Sequence, residues 1–548
     1  MSNSEIVSIL MALFGGLGLF LYGMNTMSEG LERAAGDRMK SIVEMLTKNK
    51  IMGVFVGAVV TMIVQSSSAT TVMVVGFVNA GIMNLTQAVG IIMGANIGTT
   101  VTAQLVSINL TAIAPLAIGT GVLINLVSSN DRTKKYAQIL IGFGILFLGM
   151  DTMKHAVKPL RSFEGFTTLL MSFGSGKMLD TVFAILTGFA ITAIVQSSSA
   201  TTGILVALAS EGLLPIEAAL PVLLGTNVGT CVTAMISSIG ANRTAKRAAV
   251  IHLMFNVIGT AVFAIFLAGP TISVVTKMST DSARQLANAH TFFNITNTLL
   301  LLPFAGLLVK LAQRFVPGEI DQEEDGTASK YLDERILETP SIALGQVIKE
   351  TLHMGNIAKE SYVSSIESFI KGDADKAQQT FVLEKQVNIL ESEIMEYLIK
   401  LSNTNVSIQQ REQIDGLFST INDIERVGDH ADNLAELALY KIEKNLGFSE
   451  NALNEIEHMS ERVFKSYDHA IDSLASGDIS SARKVLEREG EIDLMEKNLR
   501  KKHIKRLNAG DCQPGSGILF LDAISNLERI GDHASNIALA VLDNVTEN

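Results

Sequence analysis

The sequence predicts an all-α fold, in which a polytopic membrane domain of two repeats with broken helices precedes a soluble helical-bundle domain. Hydrophobic residues make up 48% of the 548 residues and charged residues only 18%, which is little charge for a soluble protein. Residues 1–318 hold 19 Lys and Arg against 12 Asp and Glu, a net charge of +7. The rest of the chain holds 24 against 43, a net charge of −19 within the total of −12. The two parts therefore suit different surroundings, lipid first and water second.

Long uncharged stretches assign residues 1–318 to a membrane. No Asp, Glu, Lys or Arg occurs in residues 51–130. A spanning helix needs about 20 apolar residues, so this stretch alone holds about three or four membrane segments or half-segments. The first residues carry no basic segment before their apolar run, so we expect no cleaved signal peptide and an early first membrane helix. We expect a lipid bilayer as the partner of this domain and no nucleic acid.

A polar string occurs twice in this apolar domain. The letters QSSSATT stand at Gln65–Thr71 and again, 131 positions later, at Gln196–Thr202. The strings GANIGTTVTA at 94–103 and GTNVGTCVTA at 225–234 keep the same spacing. A fixed spacing between matching strings indicates an internal duplication.

A third match lies upstream and defines the extent of the duplicated unit. The string FLYGMNTM at 20–27 resembles LFLGMDTM at 146–153. Together the matches predict repeat 1 at about 10–128 and repeat 2 at about 137–268. Paired membrane repeats with interrupted apolar segments are typical of secondary transporters with a central binding site. The basic residues that flank the repeats do not decide whether one copy is inverted.

The composition of QSSSATT predicts an ion site at a break in a membrane helix. Six of its seven side chains form hydrogen bonds, and unsatisfied polar groups inside a bilayer are costly unless they pair or line a cavity. Hydroxyl groups donate to anions and accept from cations, and a broken helix adds free amides and free carbonyls. The alternative is that Ser and Thr pack close membrane helices together. The identical repetition favours the ion site, and the lack of nearby Lys or Arg favours an anion that moves with cations.

The second repeated string, GANIGTT and GTNVGTC, permits two interpretations of similar weight. Its glycines allow backbone bends, and its amides and hydroxyls both donate and accept hydrogen bonds. Small residues also let membrane helices pack closely. The repetition favours a role at or beside the site. The candidates here are Asn96, Thr99, Thr100, Asn227 and Thr230.

The acidic part is predicted to be helical after a linker at 319–340. Residues 341–548 show helical periodicity and a repeat of their own, since IERVGDHADN at 424–433 matches LERIGDHASN at 527–536. The pattern predicts two three-helix bundles in tandem, with carboxylates spaced along one helix face. Oxygen ligands suit Mg²⁺, Mn²⁺, Ca²⁺ or iron. The candidate metal ligands are Glu384, Glu391, Glu425, Asp429, Asp432, Glu489, Asp493, Glu496, Glu528, Asp532 and Asn536.

Other polar residues are assigned structural roles. The alternative for the acidic face is a solvated surface paired with Arg426 or Arg529. His430 and His533 point away from that face by helix geometry, so we interpret them as structural. His252 and His290 lie in or beside apolar segments and are unrepeated, so we expect them to pack or to mark a segment end. The two cysteines lie in different regions of the chain, so we expect no disulfide.

The repeated strings resemble two known families. QSSSATT with its GANIGTT and GTNVGTC partners resembles the bacterial form of the type II sodium–phosphate cotransporter family over roughly residues 10–310. ERVGDHA and ERIGDHA resemble the PhoU domain, a cytoplasmic regulator of phosphate uptake that carries multinuclear metal clusters. Asn388 stands where that domain usually has an acid, which puts full metal occupancy of the first acidic face in question.

The resemblance implies a function and a set of site residues. It implies inverted repeats whose QSSS regions meet in the membrane and bind inorganic phosphate and Na⁺, a multi-pass protein of the bacterial inner membrane, and a cytoplasmic C-terminal domain. It implies a transporter and no enzymatic activity, and it leaves a homodimer open. The rivals are a phosphate-sensing scaffold, an exporter without strict Na⁺ coupling and a channel-like conduit. The site residues that it implies are Gln65, Ser66, Ser67, Ser68, Thr70, Thr71, Gln196, Ser197, Ser198, Ser199, Thr201 and Thr202.

Overall fold

The computed structural model describes residues 3–35, 49–318, 329–404 and 406–546. Every regular element in these ranges is helical. The chain divides into two compact units, which meet between Gln322 and Glu323 in the sequence. We describe each unit separately.

Apolar helices form the first unit. Seven helical segments of its described residues are long and apolar enough to cross a membrane: Ser4–Ala35, Leu85–Val106, Thr133–Ser162, Met178–Val195, Ile216–Ser237, Arg243–Met278 and Ser282–Phe315. The α-helices are α1 (Asn3–Ala35), α2 (Lys50–Val64), α3 (Ser67–Asn79), α4 (Leu85–Gly98), α5 (Thr100–Val106), α6 (Ala114–Val127), α7 (Asp131–Val157), α8 (Glu164–Ser172), α9 (Met178–Val195), α10 (Ser198–Ser210), α11 (Ile216–Ser237), α12 (Arg243–Val262), α13 (Ala268–Met278), α14 (Ser282–Leu301) and α15 (Ala305–Phe315).

The helices that lead the two repeats, α1 and α7, pack against each other in opposite directions. A methyl group on Gly23 would lie 2.2 Å from the Leu146 amide nitrogen, and one on Gly149 would lie 2.3 Å from the Phe20 nitrogen. Later residues of α1 therefore meet earlier residues of α7. The pairs are also reciprocal, because Phe20 and Gly23 occupy the same places in FLYGMNTM as Leu146 and Gly149 in LFLGMDTM. Glycine allows this close approach, since any side chain would strike the partner backbone.

The second unit consists of two three-helix bundles. The first contains α16 (Pro340–Lys371), α17 (Ala374–Ser402) and α18 (Ile408–Glu443), and the second contains α19 (Glu450–Ser476), α20 (Ile479–Ala509) and α21 (Pro514–Thr546). Buried apolar side chains at helical spacing line each bundle, as the periodicity predicts.

Equivalent residues of the two bundles bond to one another. The Tyr362 hydroxyl donates to the Ser460 carbonyl at 3.0 Å, and the Tyr467 hydroxyl donates to the Gly355 carbonyl at 3.0 Å. Tyr362 and Gly355 each lie 105 positions before Tyr467 and Ser460. Since each tyrosine is fully buried, its hydroxyl needs this partner. The duplicated sequence therefore folds into two bundles related by a local twofold.

The repeated histidines also lie between the bundles. Nδ1 of His430 is 2.9 Å from Asn526 Oδ1, and Nδ1 of His533 is 2.8 Å from Asp423 Oδ1. The two rings stack with centroids 5.6 Å apart. Burial lowers the pKa of His430, which favours a neutral ring. The histidines therefore join α18 to α21.

Part of the sequence-predicted linker packs on the first bundle. Residues 319–328 lie outside the described residues, but the Ser329 amide donates to Glu393 at 2.7 Å. A short 3-10 helix, Glu334–Glu338, follows, and Ile336 within it is fully buried. Packing onto the bundle therefore already includes residues before 340, because the apolar side chain of Ile336 is buried there.

Candidate functional site

Each QSSSATT string contains a sharp break between two helices. Gln65 ends α2 with φ 54° and ψ 18°, and Gln196 ends α9 with φ 55° and ψ 24°. This left-handed conformation is uncommon for any residue except glycine. Its presence at the same letter of both copies indicates a feature that the surrounding structure imposes. Each break releases carbonyl groups from one half-helix and amide groups from the next.

The half-helices that follow the breaks begin in the same way. Ser66 and Ser197 are the N-caps of α3 and α10, and each side chain accepts a hydrogen bond from the amide three residues later at 3.1 Å. A threonine hydroxyl bridges the two half-helices in each copy, from Thr61 to Thr70 at 2.9 Å and from Thr192 to Thr201 at 3.1 Å. Two helix N-termini with partial positive charge are therefore held in matching geometry.

Both breaks line one cavity. Its volume is about 240 Å³, and α1 supplies the rest of its wall. None of its lining side chains carries a charge, which suits a small ion held by hydroxyls, amides and helix ends. The lining residues are Leu21, Met24, Asn25, Ser28, Val64, Gln65, Ser66, Ser67, Ser68, Gln196, Ser197, Ser198 and Ser199.

The remaining letters of the motif are buried behind this cavity. Thr70 donates to the Ser66 carbonyl at 3.0 Å, and Thr201 donates to the Ser197 carbonyl at 3.1 Å. Thr71 and Thr202 are also buried and do not line the cavity. The structure thus divides each predicted string into cavity-lining residues, from Gln to the last Ser, and threonines buried behind them.

Helix α1 supplies two polar residues that motif matching did not single out. Asn25 lines the cavity, and the Ser28 hydroxyl lies 2.5 Å from the Val64 carbonyl oxygen, to which it donates. A signal was present in the sequence, since Asn25 lies within the repeated string FLYGMNTM. Its polar letters are isolated, however, and only the packing of α1 brings them to the breaks.

The glycines of the second repeated string hold the broken helices close to α4 and α11. A methyl group on Gly94 would lie 2.0 Å from the Val54 carbonyl oxygen, and one on Gly225 would lie 2.0 Å from the Ile185 oxygen. Val54 and Ile185 are 131 positions apart, so the two copies repeat this packing closely. Close backbone approach explains these glycines directly.

The polar residues of that string do not line the cavity. Asn96 and Asn227 donate to carbonyls of their own helices at 2.8 and 3.1 Å. The Thr230 hydroxyl donates to the Thr226 carbonyl of its own helix at 3.0 Å, and the Thr100 hydroxyl donates to the Ile97 carbonyl near the end of α4 at 2.8 Å. The Thr99 hydroxyl lies 3.5 Å from the Ser67 hydroxyl. Of these five candidates, Thr99 alone makes a side-chain contact with a cavity-lining residue in the described part of the chain.

The acidic face of the second bundle brings three carboxylates together. Oxygen atoms of Glu489, Asp493 and Asp532 lie within 4.8 Å of one another. Burial and the neighbouring Asp493 raise the pKa of Asp532, and burial and Asp532 raise the pKa of Glu528. Mutual repulsion of this kind is relieved by a divalent cation. Glu496 pairs with Arg500 at 2.7 Å.

On the acidic face of the first bundle, basic and amide side chains compensate more of the carboxylate charge than on the second. Arg426 lies 3.0 Å from Asp429 and 3.6 Å from Glu425, and Asn388 donates to Glu384. Burial and three acidic neighbours still raise the pKa of Asp432 to about 6. The pKa of Glu425 is also raised, mainly by burial and in addition by the nearby charges of Asp429, Glu391 and Glu384.

One predicted ligand takes another partner. The side-chain amide of Asn536 donates to Asp423 at 3.1 Å, beside His533. It therefore belongs to the contact between the bundles.

Membrane-length helices in two copies, with two helix breaks at one uncharged cavity, define a transport protein of the paired-repeat class. The sequence model of the Na⁺/Pi-cotransporter family matches residues 19–155 and 167–314, and the chain belongs to this family, which is one of transporters rather than enzymes. The PhoU domain model matches residues 351–438 and 456–541.

Individual proteins are similar to the whole chain or to one part of it. The putative inorganic phosphate export protein YjbB of Salmonella typhimurium is 26% identical over 97% of both chains. The uncharacterized protein YqeW of Bacillus subtilis is 31% identical over 55% of this chain and 96% of its own length. The crystal structure of PhoU from Pseudomonas aeruginosa matches 37% of this chain and 98% of its own with 26% identity and a TM-score of 0.36.

Proposed function

We propose that this protein is a secondary transporter that moves inorganic phosphate across a bacterial inner membrane together with Na⁺. The observation that carries the proposal is the cavity of about 240 Å³ that both QSSS breaks line. Two half-helices begin at this small volume, and serine hydroxyls from both breaks line it, so amide and hydroxyl donors are available there. Such donors suit the oxygens of a tetrahedral anion.

The lack of charge in the cavity wall supports coupling to cations. No lining residue is Lys or Arg, and helix ends alone compensate only part of an anionic charge. Burying an anion in a low-dielectric region is costly unless opposite charge accompanies it. Carbonyl groups freed at the breaks and hydroxyl oxygens are suitable ligands for Na⁺.

The two repeats supply a route for alternating access. We propose that they are inverted, which the antiparallel and reciprocal packing of α1 on α7 supports. Two inverted halves that share one site can open it to either side in turn. Phosphate would then cross while the two breaks stay at the centre.

Export is a second candidate direction. Relatives with the same two-part organisation are named putative phosphate export proteins. The direction of net flux follows from the gradients and from the coupling. A protein that exports phosphate against an inward Na⁺ gradient would not use strict Na⁺ symport.

Transport by the purified full chain in proteoliposomes tests the proposal. An inward Na⁺ gradient is expected to drive uptake of labelled phosphate, while choline in place of Na⁺ abolishes it. Uptake that is equal in both solutions would refute the coupling and leave a conduit or an uncoupled exporter. No flux in either direction, measured also as efflux from preloaded vesicles, would favour a phosphate-sensing scaffold.

We further propose that the second unit is a cytoplasmic regulator that binds a divalent or iron cluster. The three carboxylates Glu489, Asp493 and Asp532 offer oxygen ligands close enough to share one cation. Those residues would hold the metal in the second bundle, and Glu425, Asp429 and Asp432 would hold it in the first. The bound metal would neutralise the acidic faces. It would thereby stabilise the arrangement of the helices that carry them.

Replacing Asp432 with asparagine is expected to change stability in opposite directions with and without metal. The folded-state pKa near 6 lies above the ordinary value of 3.8, so ionisation above about pH 4 destabilises the bare fold, with full effect above pH 6. At pH 7.5 with EDTA, the variant should melt about 2 to 4 °C higher. With Mn²⁺ it should melt lower, because a ligand is lost. Asp472→Asn, at an exposed position, is the control, and identical shifts with EDTA and Mn²⁺ would contradict metal binding.

A further inference from the structure

A short segment of the chain fills a groove on the first bundle. This segment, residues 329–338, is called the strap, and it lies between α16 and α17. The Ser329 amide donates to Glu393 of α17 at 2.7 Å, and the Tyr331 amide donates to Glu350 of α16. Both walls of the groove therefore bind main-chain groups of the strap, and every peptide carries such groups.

Side chains complete the contact between the strap and the first bundle. The Tyr397 hydroxyl of α17 donates to the Asp333 carbonyl at 3.0 Å. The Tyr331 ring stands edge-on to His353 of α16 with the ring centroids 6.5 Å apart. Ile336 of the strap is fully buried. The first groove thus holds a peptide segment by backbone hydrogen bonds and one apolar side chain, as peptide-binding surfaces do.

The second bundle has a matching groove between α19 and α20. Glu455 and His458 stand 105 positions after Glu350 and His353, and both line a groove of about 760 Å³. Only residues 444–449 join α18 to α19, so no long segment precedes this bundle as the strap precedes the first. The duplication therefore repeats the groove without repeating the strap.

The residues that differ between the two grooves change the charge. Three positions that are uncharged in the first bundle are cationic in the second and line its groove: Ile357, Tyr397 and Leu401 are replaced by Arg462, Lys502 and Arg506. Asn498 stands in the place of Glu393, which accepts a strap amide in the first bundle. Over all matching lining positions, with histidine neutral, the formal charge changes from −1 in the first groove to +1 in the second.

The surface beside the second groove is also basic. Residues 497–506 of α20 hold six Lys and Arg and no Asp or Glu, whereas the matching residues 392–401 of α17 hold one Lys and two Glu. Residues 319–548 as a whole carry a net charge of −19. A basic surface within this acidic part of the chain attracts acidic partners and repels basic ones.

Ion pairs within the second bundle use only part of this positive charge. Glu455 lies 2.8 Å from Arg506 and 3.4 Å from Lys502, and Arg462 pairs with Glu491. Two cations share the single carboxylate of Glu455, so positive charge remains in excess at the groove. The Lys502 side chain is 62% exposed, so it can reach a ligand without breaking a buried pair.

We propose that the groove between α19 and α20 binds an acidic peptide segment of a partner protein, as the first groove binds the strap. Lys502 stands where Tyr397 donates to a strap carbonyl, and it donates likewise to a carbonyl or carboxylate of the peptide. Arg462 pairs with a second carboxylate, since a guanidinium fits that group with two parallel hydrogen bonds. This surface belongs to the second unit, so the inference does not depend on the proposed transport function.

Three fluorescent peptides with the strap sequence SKYLDERILE as their template test the charge preference. The unchanged peptide has a net charge of −1. Lys330→Glu with Arg335→Glu gives −5, and the three changes Asp333→Lys, Glu334→Lys and Glu338→Lys give +5. In fluorescence anisotropy with the purified full chain, the acidic peptide is expected to bind about tenfold more tightly than the basic one. Equal binding of the two, or tighter binding of the basic peptide, would overturn the inference.

Two neighbouring lysines provide the matched variants. Lys502 lines the groove, whereas Lys501 is exposed on the same helix and does not line it. Lys502→Gln is expected to weaken binding of the acidic peptide about fivefold, which corresponds to about 1 kcal/mol, and Lys501→Gln less than about twofold. An equal loss in both variants would indicate non-specific attraction to the basic helix and contradict a groove site. If Lys502→Gln does not fold, Arg462→Ile restores the residue of the first bundle and should weaken binding to a similar extent.

A photoreactive group on the acidic peptide locates its binding site. Crosslinks to α19 and α20 are expected. Crosslinks to α16 and α17 would mean that the peptide displaces the strap, and they would overturn the inference. Anionic lipid is the rival occupant, and nanodiscs of phosphatidylglycerol or phosphatidylcholine test it. Protection of α20 from hydrogen exchange that requires phosphatidylglycerol, without peptide binding in either lipid, would assign the basic surface to the membrane instead.

Discussion

Replacing Gly225 with alanine is expected to disrupt the second repeat and abolish transport. The new methyl group would lie 2.0 Å from the Ile185 carbonyl oxygen and 2.9 Å from the Phe189 nitrogen. Both obstacles are backbone atoms of α9, so no side chain can rotate away and the helices must separate. Overpacking of this kind costs about 3 kcal/mol or more. Thermal unfolding of the purified chain and phosphate uptake measure the two effects.

Gly119→Ala is the matched control. This glycine lies on α6, and a methyl group there would meet no atom within 4 Å. Its replacement should change stability by less than about 1 kcal/mol, with a small gain from helix propensity. Equal behaviour of the two variants would show that α9 and α11 do not pack as closely as the structure has them.

The double variant Ser67→Ala with Ser198→Ala is expected to lose most phosphate and Na⁺ binding while it stays folded. The two serines face the same cavity, one from each break. A hydrogen bond to a charged group contributes about 1.5 to 3 kcal/mol, so each loss should weaken binding about tenfold or more. The half-saturation concentrations of phosphate and Na⁺ in the uptake assay should rise together.

The fold should survive because neither hydroxyl supports the helices strongly. Ser67 makes one long contact of 3.5 Å with Thr99, and the caps of the half-helices are the preceding serines, Ser66 and Ser197. Ser172→Ala, which removes an exposed hydroxyl on α8, is the control. Unchanged kinetics in the double variant, with a lower melting temperature, would instead assign these serines to helix packing.

The duplicated strings predicted the site because a polar cluster in an uncharged region has few explanations. The breaks occur at Gln65 and Gln196, at the first letter of each copy. The sequence did not separate the cavity-lining serines from the supporting threonines, since both residue types have the same chemistry. Only the direction of each side chain around its half-helix decides that.

The roles of the residues in the second repeated string could not be predicted from the sequence. Glycines and polar residues alternate in GANIGTT and GTNVGTC, and both bending and packing explain them. The structure uses Gly94 and Gly225 for close approach and places Asn96 and Asn227 against their own helices. A sequence pattern shows that small residues permit close helix contact. It does not show which helix they contact.

The sequence by itself determined the membrane placement, the duplication and the chemistry of the breaks, because charge, spacing and hydroxyl content are properties of the chain. The tertiary structure alone decided that α1 completes the cavity with Asn25 and Ser28. It alone showed that identical strings at Gln65 and Gln196 have unequal partners, since Thr102 bonds the first glutamine and Thr233 bonds none. The physical reason is that hydrogen-bond satisfaction depends on neighbours far away in sequence, which a repeated string cannot specify.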